Sequence, residues 1–263
     1  MYRYKSCVDE FEYKVTTKQG GKKTTSLKEK RVVSYNQKLA RKQITEINRQ
    51  VDKARSLRLS EAKKSVVDEW NAILKKAVEE IRKIAPEVYI VFGGVCYNNV
   101  SSVPLLPAPF ADKLVYNFHC YDPFVFTHQK AYWVDNMPSD FEMSYPDSME
   151  NYCEKSKMFG IESTKAIYDS GVTEMGPAFF ESIFAPAIET AEKYDVALYC
   201  GEYGVIDQAP LPDSLRWLND INLSFDRHGI GRALWNYKNK DFGIVDPHYA
   251  PIIDDLPFIK RVK

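Results

Sequence analysis

The stretch VALYCGEYG, Val196–Gly204, decides how the chain is read. An apolar run ends in a single glutamate, Glu202, set between Gly201 and Gly204. Apolar residues without polar alternation mark a strand buried on both faces, as in a parallel sheet. Glycines at its end let other backbone approach closely. The expectation is a buried strand that delivers one carboxylate to its C-terminal end.

Working outward, the flanking segments are helical. FFESIFAPAIETAEKYD, Phe179–Asp195, carries apolar residues at helical spacing, with a kink or split expected at Pro186. PDSLRWLNDINLSFDRHG, Pro212–Gly229, opens with Pro and Asp and closes with Gly, in keeping with a helix start and stop. GRALWNY, Gly231–Tyr237, reads as a further strand, and so do VYIVFGG, Val88–Gly94, and LVYNFHCY, Leu114–Tyr121. A helix over Ser65–Ala85 places Val66, Trp70, Ile73, Leu74, Ala77, Val78, Ile81 and Ile84 on one face, and Pro86 stops it. Between Asp122 and Glu174 lies a long loop rich in aromatic residues, a length uncommon without a role.

Helices alternating with strands mean parallel βα units. Chemically active residues at strand ends suit the C-terminal rim of a (β/α)8 barrel. Only four good strands are found, so the fold class is α/β, an incomplete (β/α)8 barrel. Residues 1–64 differ in kind. They hold 18 Lys+Arg against 7 Asp+Glu, whereas residues 65–263 hold 18 against 29. Lys, Gln, Thr and Ser dominate, and the hydrophobic period is weak. The expected organisation is a basic non-barrel segment, 1–64, followed by an α/β half-barrel domain, 65–263.

Composition sets further bounds. The chain is 44% hydrophobic and 13% aromatic, with a net charge of zero. No apolar run reaches the ~18 residues of a membrane span, and MYRYKSCVDEFEYK has no signal-peptide core. No membrane partner is expected, and the chain as written carries no export signal. Cys7, Cys96, Cys120, Cys153 and Cys200 form no CxxC pair, so neither a zinc site nor a full disulfide framework is expected. No zinc, RNA-binding or helix-turn-helix pattern accompanies the basic segment, so no nucleic-acid partner is expected either.

Three motifs carry chemistry. In NFHCYDP, His119 and Tyr121 share one face of a strand while Cys120 points away. Glu202 ends the next strand. In RALWNYKNKDFG, Trp235 could pack in a core or serve as a flat platform for a sugar ring. Within the long loop, His128 and Trp133 are candidates to line a substrate cleft along with Trp235.

Taken together, NFHCYDPFVFTHQ, ALYCGEYG and ALWNYKNKDFGIVD resemble the catalytic half of glycoside hydrolase family 5, the cellulase-type retaining glycosidases. The resemblance covers roughly Ser65 to Lys263 and implies strands five to eight of that barrel. It implies that Glu202 is the nucleophile, that Tyr121 holds its reactive oxygen, that His119 binds near the reacting sugar, and that Trp235 floors the cleavage subsite. The implied partner is a β-glucan or oligosaccharide, with no cofactor and no metal, because two carboxylates suffice for retaining hydrolysis.

The second carboxylate is the open question. The family carries it in an Asn-Glu pair ahead of the helix matched by Val66–Ala85, where this chain reads SLRLSEAKKSVVDEW. Glu61 is the sole nearby candidate, and it follows Ser60 rather than Asn. The expectation is a truncated form with impaired hydrolysis, or a half-barrel remnant that at most binds carbohydrate.

Overall fold

The computed structural model describes residues 15–19, 22–26, 30–159 and 161–256. The first fourteen residues, with Cys7, lie outside that description, as do most of the last ten. The chain divides into two compact units, Met1–Lys64 and Ser65–Lys263.

In the first unit, β1 (Val15–Gln19) and β2 (Lys22–Ser26) pair antiparallel. Helix α1 runs Lys30–Ile84, so the helix expected from Ser65 begins well before it. Local helix-forming residues such as Lys, Arg, Gln and Glu carry a helix without a strong apolar stripe. That is why weak periodicity over Leu39–Leu59 did not mark it.

The second unit is built on one four-stranded parallel sheet in the order β3 (Ile90–Gly93), β4 (Leu114–Cys120), β5 (Ala197–Tyr203), β6 (Gly231–Arg232). Sequence order equals spatial order, as in consecutive staves of a barrel. Among the described residues, the first unit adds no strand to this sheet. Helix α5 (Pro177–Tyr194) links β4 to β5 and continues through Pro186 without a split. Helix α6 (Leu211–Arg227) links β5 to β6.

The strand sequences explain the layers. Along β4, Leu114, Tyr116, Phe118 and Cys120 are buried, whereas Val115, Asn117 and His119 are only partly so. The buried set meets the helices: Phe118 lies 5.3 Å from Phe184 of α5 and 6.5 Å from Phe225 of α6, ring centre to ring centre. Tyr203 of β5 meets Phe225 edge-on at 5.1 Å, and Phe180 meets Trp217 at 5.7 Å. These aromatic pairs form the core between sheet and helices. The other face is what a closed barrel would turn inward.

Two expectations need correction. The region from Asp122 to Glu174 is not a plain loop: it holds α2 (Phe124–Thr127), α3 (Met149–Ser156) and α4 (Ile161–Asp169). Short helices with few periodic turns escape a pattern search. The fourth strand is two residues long rather than seven, although Ala233 and Trp235 still donate backbone bonds to Cys200 and Tyr203 at 2.9 and 2.8 Å. The apolar face of α1 is mostly uncovered. Val78 is buried and Leu74 packs against the core, but Val66, Ile73 and Ile84 are 55, 60 and 87% exposed. β3 is the sheet's edge, and among the described residues no strand lies beyond it to cover that face.

Candidate active site

The site begins with a register break. Phe118 of β4 pairs with Cys200 of β5, but the next residue, His119, pairs with Glu202. Gly201 is the extra residue, a β-bulge. Side chains alternate along a strand, so an unbroken register would set Glu202 on the same side as Cys200, against the helices. The bulge resets that alternation and brings Glu202 round beside His119. Glycine is required there: a Cβ at Gly201 would lie 2.6 Å from the Asn117 side-chain oxygen.

Two side chains of β4 and its end then meet the carboxylate. Tyr121 Oη donates to Glu202 Oε2 at 3.2 Å, and His119 Nδ1 lies 3.4 Å from the same oxygen. Burial, reinforced by the neighbouring Glu202 charge, pushes the Tyr121 hydroxyl far up, so it stays a donor. Burial holds the His119 imidazole below its ordinary value, against the opposing pull of Glu202. The arrangement presents one carboxylate oxygen, oriented by a phenol and flanked by an imidazole.

Tyr121 is itself fixed. Thr127 Oγ1 donates to its carbonyl at 2.6 Å. His128 meets its ring edge-on at 5.0 Å and Phe242 at 5.9 Å. His128 is stacked on Phe124 at 4.5 Å, with Nδ1 3.0 Å from Thr127 Oγ1, and burial pushes its imidazole down to about 4. The structure thus sets His128 in an aromatic stack behind Tyr121.

Gly204 does for Trp235 what Gly201 does for Glu202. A Cβ there would lie 2.2 Å from the Trp235 carbonyl oxygen, so only glycine lets that chain pass. Trp235 is 41% exposed and is followed by a cis peptide to Asn236. Trp133 is exposed to a similar degree, packed edge-on against Tyr132 at 4.8 Å and 6.4 Å from Phe242.

Two residues at this rim escaped the sequence reading. Phe242 touches Tyr121, His128 and Trp133, joining three candidate residues into one aromatic group. Tyr97 follows β3 and is 99% exposed. It is the middle of three consecutive left-handed residues, Cys96, Tyr97 and Asn98, with φ of 58, 56 and 58°. Each such residue costs roughly 1–2 kcal/mol. The double glycine Gly93–Gly94 ahead of it was the available signal, because a backbone that turns sharply at a strand's C-terminal end is placed where barrels put their sites. Glu61, by contrast, lies inside α1, exposed, and not at a strand end. Among the described residues no group of three or more His, Cys, Asp and Glu is arranged to hold a metal ion.

Comparison with known proteins sets this geometry in context. The family model for cellulase, glycosyl hydrolase family 5, matches residues 51–241, beginning inside α1. Cellodextrinase A of Ruminococcus flavefaciens is 42% identical over 166 residues, 63% of this chain and 42% of that protein. Endoglucanase C of Acetivibrio thermocellus is 31% identical over 191 residues, 71% of this chain and 54% of the relative. The chain therefore spans about half the length of these relatives. Among solved structures, an endoglucanase superposes with a TM-score of 0.56 at 20% identity, over 73% of this chain and 54% of its own. Cel5A of Thermotoga maritima, in complex with cellobiose, gives 0.51 at 22%, over 68% of this chain and 50% of its own. At these identities the structures speak for the fold alone.

Proposed function

Because the chain belongs to the cellulase family, glycosyl hydrolase family 5, we propose that its site serves retaining hydrolysis of β-linked glucan, with Glu202 as nucleophile. The observation that carries this reading is the Tyr121–Glu202 contact beside His119 at the ends of two adjacent parallel strands. In such a reaction the nucleophile attacks the anomeric carbon and forms a glycosyl ester, which water then cleaves. Tyr121 holds the attacking oxygen in place. A phenol that stays protonated donates to the carboxylate before attack and to the departing carboxylate when the ester is cleaved. His119 reaches the sugar bonded to Glu202. Trp235, Trp133 and Tyr97 offer flat faces on which pyranose rings pack, while His128 supports Tyr121 from behind. The substrate class is glucan, in line with the cellodextrinase and endoglucanase names of the relatives.

Retaining hydrolysis also needs a general acid/base about 5–5.5 Å from the nucleophile. The place of the family's Asn-Glu pair is taken in this chain by Ser60–Glu61, inside α1 and not at a strand end. On this reading the chain by itself cleaves glucan slowly. Its limiting alternative is a remnant that binds sugar without turnover.

The experiment is release of nitrophenol from an aryl β-cellobioside, with cellotetraose binding measured calorimetrically in parallel. Glu202→Gln is expected to reduce turnover by at least about 10³-fold while leaving binding near the original value. Turnover by the Gln variant equal to the parent's would remove Glu202 from the role. Binding without any turnover by the parent chain selects the remnant.

A further inference from the structure

Asp122 stands one residue beyond Tyr121 and has no part in the chemistry above. Its backbone is held: Trp217 Nε1 donates to its carbonyl at 3.0 Å. Its carboxylate takes a long bond, 3.4 Å, from Asn99 Nδ2. Asn99 is the residue at which the left-handed turn Cys96–Asn98 ends. Its side-chain oxygen accepts from Ser101 N at 3.0 Å, and its carbonyl accepts from Ser102 Oγ at 2.7 Å, which fixes the side chain with Nδ2 left to donate to Asp122. The same loop touches the site directly. His119 N donates to Asn98 O at 2.7 Å, and Asn99 pairs with His119 as an isolated parallel bridge. Asn98 is in turn fixed from below, where Gly94 N donates to its side-chain oxygen at 2.9 Å.

We infer that Asp122 is a positioning residue: by holding Asn99 it fastens the turn Cys96–Asn98, with Tyr97 at its tip, to the end of β4 beside His119. A left-handed turn of three non-glycine residues persists only when its surroundings over-determine it. Besides the turn's own backbone bonds, Asn98 N to Val95 O and Asn99 N to Cys96 O, three fastenings do this: Gly94 to Asn98, His119 to Asn98, and Asn99 to Asp122. The first lies within the loop and the second uses β4 backbone. The third ties the loop by a side chain to the segment that leads into α2. A neutral acceptor would satisfy an amide donor with no charge to bury, yet the residue here is a carboxylic acid, and burial pushes it up to about 6. A carboxyl perturbed by desolvation at a rim of candidate residues is a mark of functional placement. The contribution to turnover rests on the glucanase reading; the clamp itself does not.

The test separates the two. His119 is titrated by NMR in the full chain without sugar, and cellotetraose affinity is measured beside it. Asp122→Ala and Asn99→Ala should each raise the His119 midpoint by about half a unit, because a loosened loop admits water to a ring now held low by burial. Each should weaken cellotetraose binding by about tenfold through the displaced Tyr97. The double variant should be no worse than either single, since both remove one fastening. Asp122→Asn, which keeps an acceptor oxygen, should leave the His119 midpoint in place. If Asp122→Ala does not fold, Asp122→Ser, too short to reach Asn99, takes its place. Additive losses in the double variant, or a His119 midpoint unmoved by Asp122→Ala or its Ser substitute, overturn the clamp. A moved midpoint with no sugar binding in the parent chain keeps the clamp and rejects the glucanase reading.

Discussion

Glu202 faces His119 across two strands because Gly201 is an extra residue between them. Were Gly201 paired in an unbroken register, the carboxylate would be on the helix side, where Cys200 is fully buried. The site is therefore set by a register event and not by the identity of its side chains alone. Deleting Gly201 should straighten the strand while keeping Glu202 on the His119 side, so turnover should fall through a displaced carboxylate and not through its burial in the core. Gly201→Ala is the milder form. Its Cβ must displace Asn117, at a cost of about 1–3 kcal/mol, which thermal unfolding will show as a lower Tm.

Tyr121→Phe removes the hydroxyl at 3.2 Å from Glu202 Oε2 and leaves the edge-on ring contacts with His128 and Phe242 intact. Hydrogen bonds to charged groups contribute roughly 1.5–3 kcal/mol. The expected outcome is a fall in kcat of about 10–10²-fold with KM little changed, measured on the aryl cellobioside. A fall confined to KM would mean that Tyr121 binds sugar and does not orient the carboxylate.

Two buried groups give the fold opposite responses to acid. The His128 imidazole is pushed down to about 4, so the unfolded chain binds a proton that the folded chain refuses. Its contribution is whole above the ordinary value of 6.5 and is lost as pH falls toward about 4. The Asp122 carboxyl is pushed up to about 6 from 3.8, so the folded chain binds a proton that the unfolded chain has released. Its contribution is whole below 3.8 and is lost as pH rises through about 6. Between about 4 and 6 the two nearly cancel. His128→Phe should therefore unmask a gain in stability on acidification over that window, and Asp122→Asn should unmask a loss. Tm measured every half unit of pH reads both slopes, and parallel curves in the two variants would refute the assignment.

Tyr97→Ala removes an exposed ring on a strained turn and leaves the core untouched. Cellotetraose affinity should fall by about tenfold, while nitrophenol release from a short aryl glucoside changes little. Equal losses on both substrates would place Tyr97 at the reacting sugar.

The chain showed its fold unevenly. β4 and β5 were legible because their apolar runs are longer than a chance cluster, and α5 and α6 because each has a sustained stripe. Their alternation with strands dictated a parallel sheet. Glu202, His119 and Tyr121 could be singled out by their places at strand ends. The bulge could not, because a glycine in a strand signals several backbone events equally. Nor could the contacts of Phe242 with Tyr121, His128 and Trp133, which join residues more than a hundred positions apart. The apolar stripe of α1 was read from its spacing as a single face. Spacing reports which residues share a face, but it does not report whether anything stands opposite.

The outer strand of the sheet has a chemical asymmetry of its own. Ile90 N donates to Lys113 O, so the amides of Ile90 and Phe92 turn toward β4, and those of Val91 and Gly93 turn outward. The Gly93 carbonyl on that outer side is occupied by the Trp70 indole at 2.9 Å. In deuterated solvent the four amides of β3 should then label as a comb, Val91 and Gly93 within the fast phase, Ile90 and Phe92 with the slow strands beside them. Any polypeptide that came to lie along that edge would fill in the missing teeth, and its arrival could be followed one amide at a time.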